Sequence, residues 1–168
     1  MARILLLMAD TRFLTTIVED FVRNRLAVDH GVSFTKRRLP LTGGGDHEFD
    51  AVSEDGTIVA SIKATSGKTS GGRIPAGKFN NAIAELYFLA FVAANKKLLV
   101  VTNTEFHKLL LHKIGGSLPP DTTIEGVELP ADIQTEVNRL LGIASTEVSP
   151  QAIEAAVEAE VDEDLTQP

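Results

Sequence analysis

The stretch "HEFDAVSEDGTIVASIKAT", residues 47–65, decides the fold. "HEFDAVS" and "TIVASIKAT" read as strands, and "EDG" between them is the turn of a hairpin. Side chains alternate along a strand. Glu48 and Asp50 therefore share one face of the first strand, and Ser61 and Lys63 share one face of the second. A short turn pairs the strands closely enough for Asp50 and Lys63 to approach each other. A carboxylate and an ammonium on a covered sheet are costly unless they pair or hold an ion.

Outward from the hairpin the pattern alternates between helix and strand. Upstream, "DTRFLTTIVEDFVRNRLAV" places Phe13, Ile17, Val18, Phe21 and Val22 at helical spacing, with Asp10 or Thr11 available as a cap. The preceding "MARILLLMAD" is a strand or a helix lead-in, too short to span a bilayer. "VSFTKRRLPL" is a strand with a basic centre. Downstream, a Gly/Ser-rich loop, "SGKTSGGRIPAG", leads to "KFNNAIAELYFLAFVAAN", a helix apolar over most of its surface and therefore expected to be well buried. "KKLLVVTN" is a continuous apolar strand of the kind covered on both faces. Thr102 and Glu105 have capping-box spacing before "EFHKLLLHKI". "TIEGVEL" and "ADIQTEVNRLLGI" add a strand and a helix. The expected architecture is α/β: a mixed central sheet, opened by a meander and flanked by helices on its two faces.

The chain has 168 residues, enough for one domain over residues 1–150 and an acidic tail over 151–168. The net charge of −7 is concentrated in that tail, which carries Glu154, Glu158, Glu160, Asp162, Glu163 and Asp164. The rest is nearly neutral, so the overall acidity does not exclude a nucleic-acid partner. With no cysteine there is neither a disulfide framework nor a thiolate metal site, which fits a cytoplasmic setting. "SGKTS" lacks the upstream glycine of a phosphate-binding P-loop, since Ile62 stands there. The four histidines form no metal-ligand spacing, and no Gly-x-Ser-x-Gly elbow is present.

Hard cations such as Mg²⁺ take one or two carboxylates together with phosphate and water oxygens. A lysine beside such an ion can orient water or neutralise a phosphate. Asp50 followed by Ser61-Ile62-Lys63 resembles the PD-(D/E)xK nuclease superfamily, the restriction-endonuclease-like fold, over residues 10–112, including the element order. That resemblance implies Mg²⁺- or Mn²⁺-dependent endonucleolytic hydrolysis of double-stranded DNA by a homodimer. It makes Asp50 a metal ligand and Lys63 the catalytic lysine.

Ser61 departs from the pattern, which has an acid there. Some Ser-x-Lys members recruit a glutamate from the following helix instead. At 100° per residue, Lys78, Asn81 and Glu85 share one sector of that helix, so Glu85 is the expected replacement, with Ser61 hydrogen-bonding a ligand or water. The resemblance also implies a first-helix carboxylate near the metal, Glu19 or its neighbour Asp20. Glu48, sharing a face with Asp50, is a further candidate ligand, and His47 lies near enough to touch the site. Lys68, Arg73, Lys78 and Asn81 suit contact with a phosphate backbone. Two other readings stay open: a catalytically inactive module of the same fold that binds DNA or protein, and a purely structural Asp50–Lys63 ion pair.

Overall fold

The computed structural model of the chain describes residues 2–64 and 76–147. Lys68, Arg73 and the acidic stretch 151–168 lie outside the described residues. The elements run α1 (Ala2–His30), β1 (Phe34–Pro40), β2 (Asp46–Ser53), β3 (Ile58–Lys63), α2 (Ala76–Phe91), β4 (Lys96–Val101), α3 (Thr104–Ile114), β5 (Thr122–Gly126) and α4 (Ala131–Glu147). The fold is α/β, as the sequence pattern predicts. The strands form one mixed sheet in the order β1-β2-β3-β4-β5. The first two pairings are antiparallel and the last two parallel.

Two compact units are present. Among the described residues, one holds the whole sheet and lies within Thr15–Pro130; the other comprises residues 2–14 and 131–147, including α4. No helix of the described residues is long and apolar enough to cross a membrane.

α1 begins at Ala2, so "MARILLLMAD" is helix rather than strand, and Asp10 and Thr11 lie within it instead of capping it. Ala, Leu and Met are strong helix formers, and no Gly or Pro interrupts the run before Gly31. Gly31 ends the helix at φ +67, its N–H bonded to the Ala27 carbonyl. The hairpin turn is built as its sequence suggests. Gly56 takes φ +72, and the Asp55 carboxylate accepts from the Ser53 hydroxyl and from the Thr57 N–H and hydroxyl. At α3 the cap is Asn103, whose side chain accepts from the Phe106 N–H, so the capping-box reading of Thr102 is off by one residue.

β4 is buried on both faces: Leu98, Leu99, Val100 and Val101 are fully inaccessible. Leu99 and Val101 join a core with Phe49 and Val52 of β2, Ala82, Leu86 and Leu89 of α2, and Phe106 and Leu110 of α3. Leu98 and Val100 alternate to the opposite face. Within the same unit α1 buries Val18, Val22 and Leu26, one turn apart along one side of the helix.

Phe49 and Val52 are three apart, yet both enter one core cluster. Simple alternation forbids that, and the register explains it. Thr35 pairs with Val52 and Arg37 with Phe49, so Asp50 and Ala51 together stand opposite the single residue Lys36. This is a β-bulge, which re-aims a side chain and increases the local twist. It lies at Asp50.

Candidate functional site

The bulge sets the environment of Asp50. Pairing of β2 with β3 is registered at Ala51–Ala60 and Val52–Val59. One step further on, the Asp50 carboxylate itself accepts the Ile62 N–H, at 2.7 Å. The Asp50 carbonyl oxygen accepts from Arg23 of α1, at 2.6 Å. Arg23 also bonds Glu19 and Asp20, at 3.3 and 2.6 Å. Glu19 is thereby turned inward and nearly buried, whereas the Asp20 side chain stays 60% exposed. Of the two first-helix candidates, Glu19 is the one beside Asp50.

Lys36, opposite the bulge, gathers three carboxylates. Its ammonium lies 3.5 Å from Glu19, 3.6 Å from Glu48 and 3.9 Å from Asp50. Burial pulls the Lys36 pKa down, but Glu19, Asp50 and Glu48 outweigh it and the net shift is upward. The Asp50 pKa is raised. Burial is the main cause and the Glu19 charge adds to it, against the opposing Ile62 N–H bond and the charges of Lys36 and Lys63.

A second cluster is built on α2 and β3. The Lys63 ammonium bonds Glu85 at 3.2 Å and Asn81 at 3.3 Å, and the Ser61 hydroxyl donates to Glu85 at 2.9 Å. His47 Nε2 lies 3.1 Å from the same carboxylate, and its ring stacks on Phe88 with centroids 3.9 Å apart. Burial pushes the Glu85 pKa up, but the Lys63 charge and the hydrogen bonds from Ser61, Lys63 and His47 more than reverse this, and the net shift is downward. Glu85 is thus held as a carboxylate.

The structure brings Ser61, Lys63, Glu85 and Asn81 together, and Asp50, Glu19 and Glu48 together around Lys36. Lys63 turns its ammonium to Glu85 and Asn81 and makes no direct ion pair with Asp50; it acts on that carboxylate through its field alone. A purely structural Asp50–Lys63 ion pair is therefore not what joins the strands. Lys78 sits in the first turn of α2. Arg23 is not among the sequence-derived site residues, although Glu19 and Arg23 have the i,i+4 spacing of a helix ion pair. In the sequence Lys36 is one residue of a strand's basic centre, and the bulge that turns it toward three carboxylates leaves no mark in the residue pattern.

Carboxylate oxygens are the donors a hard cation takes, and Asp50 is the carboxylate here whose ionised form burial makes costly. Among the described residues, no three His, Asp or Glu side chains are grouped tightly enough to hold an ion by themselves. Mg²⁺ seldom uses such a cage. It takes one or two carboxylates and leaves the other positions to phosphate and water; here Asp50 and Glu19 face one another across the Lys36 ammonium, which lies 3.9 and 3.5 Å from them. In comparisons with known proteins, no family model, no curated protein and no solved structure matches the chain.

Proposed function

We propose that the chain is a divalent-metal-dependent endonuclease that hydrolyses phosphodiester bonds of double-stranded DNA, a restriction-endonuclease-like enzyme of the Ser-x-Lys kind. One observation carries the reading. A mostly buried carboxylate stands at a bulge beside a second acid, and the neighbouring strand carries a lysine fixed by a third. A cation would relieve the charge that burial makes costly at Asp50.

Asp50 and Glu19 would hold Mg²⁺ or Mn²⁺, with Glu85 as the carboxylate supplied from α2 where the family pattern has an acid at Ser61. When bound, the ion supplies Lewis-acid polarisation of the phosphate and offsets charge on the leaving oxygen. Lys63 can donate to a non-bridging phosphate oxygen or orient the attacking water, because Glu85 and Asn81 fix its ammonium at the end of β3. Ser61 keeps Glu85 in place. Arg23 holds Glu19 and the bulge carbonyl and so acts as a positioning residue.

Conversion of supercoiled plasmid is the test, with Mg²⁺, with Mn²⁺ and with chelator, for wild type and Asp50→Asn. Cleavage should require the ion and fall at least ~100-fold in the variant. Ion-independent cleavage, or an active Asp50→Asn protein, would overturn the reading. The second reading, a non-catalytic DNA- or protein-binding module of this fold, is favoured by the closed Ser61–Glu85–Lys63 network, which is satisfied without any ligand. It predicts DNA or protein binding with no cleavage under any divalent ion.

A further inference from the structure

Three cationic side chains stand among the acids of the site, and they are held differently. Arg23 is fixed. Its side chain is 14% exposed and bonds Glu19, Asp20 and the Asp50 carbonyl oxygen, the last two at 2.6 Å. Lys63 is fixed as well, equally buried and tied to Glu85 and Asn81. Lys36 is not. Its ammonium keeps 3.5 Å from Glu19, 3.6 Å from Glu48 and 3.9 Å from Asp50. A close ammonium–carboxylate hydrogen bond is about 2.8 Å long. Lys36 is thus shared by three carboxylates and closely bonded to none of them.

We propose, resting on the cation reading of Asp50 and Glu19, that Lys36 is a tethered stand-in for the divalent ion. Its ammonium occupies the space between Asp50, Glu19 and Glu48, and the ion binds only as Lys36 swings out. Electrostatics requires the exchange, because an ammonium and a divalent ion among the same oxygens repel each other. Position allows it. β1 is the edge strand of the sheet, and the Lys36 side chain is 43% exposed, so its flexible four-carbon stem has water to move into. The bulge sets Lys36 in this place, since it alone stands opposite both Asp50 and Ala51.

Two of the acids stay behind when Lys36 leaves. Arg23 grips Glu19, and the Asp50 carboxylate is held by the Ile62 N–H. The moving part is therefore the cation and not these carboxylates. An ion that must wait for Lys36 to withdraw binds more weakly than the same carboxylates would bind it alone, in proportion to the fraction of chains with Lys36 out.

Calorimetric titration of Mn²⁺ into the full chain tests the role of Lys36. Lys36→Met keeps the stem and removes the charge, and should bind Mn²⁺ roughly 10-fold tighter than wild type. Lys36→Arg, whose planar fork holds carboxylates two bonds at a time, should bind it more weakly than wild type. Adding Asp50→Asn to Lys36→Met should abolish the gain, which separates this site from the acidic residues of 151–168. Without Mn²⁺, Lys36→Met should unfold at a lower temperature than wild type, and saturating Mn²⁺ should close the difference. Unchanged or weaker binding by Lys36→Met, or a gain that survives Asp50→Asn, would overturn the proposal; should Lys36→Met not fold, a Lys36→Arg that binds Mn²⁺ as wild type does overturns it. No readout here involves DNA. Tighter binding by Lys36→Met with no cleavage by any variant sinks the nuclease reading alone, and equal binding beside metal-dependent cleavage sinks the Lys36 role alone.

Discussion

Asp50 and Glu85 are both largely buried carboxylates, and the fold treats them in opposite ways. Burial and the nearby Glu19 raise the Asp50 pKa, so its ionised form costs stability at neutral pH, and the cost is relieved as pH falls through the raised value. Asp50→Asn keeps an oxygen for the Ile62 N–H and removes the charge. It should raise the unfolding free energy at neutral pH by about 0.5–2 kcal/mol, a gain that narrows in acid. Burial alone would raise Glu85 too, but Lys63 and three hydrogen bonds lower it, so its contribution is present above the ordinary carboxylate range and is lost as pH drops through the lowered value. Glu85→Gln should therefore cost about 1–3 kcal/mol at neutral pH, and less in acid. Denaturant unfolding at two pH values checks both signs.

At the scale of elements, the order and type of every strand and helix from β1 to α4 could be read from the residues, because each has an unambiguous period or a clear cap. The hairpin was legible from "EDG" alone. Gly56→Ala, at φ +72, should lower stability by about 1 kcal/mol in thermal unfolding. The cap of α3 was legible only to within a residue, since Thr102 and Asn103 are both good caps; Asn103→Ala should cost about 1 kcal/mol. What the pattern hid was the bulge. One extra residue in β2 changes which face Asp50, Phe49 and Val52 occupy, and a bulge is a matter of pairing, which depends on the partner strand rather than on local composition. Helix geometry alone sets Asn81 and Glu85 in one sector of α2, and both meet Lys63.

Across the whole molecule, a sheet that is antiparallel on one side and parallel on the other puts Asp50 and Lys63 on adjacent strands, between a carboxylate from α1 and one from α2. If that is a cation site, Mn²⁺ stabilises the folded chain by mass action, about 2.7 kcal/mol at a hundredfold excess over Kd. The same addition should leave Asp50→Asn unmoved. Whether Lys63 acts on a phosphodiester is read from the rate of plasmid cleavage by Lys63→Met relative to wild type, with DNA binding measured on the same samples. A rate at least ~100-fold lower, with binding retained, is expected. Equal rates, or a wild type that binds DNA and never cuts it with any divalent ion, would contradict it.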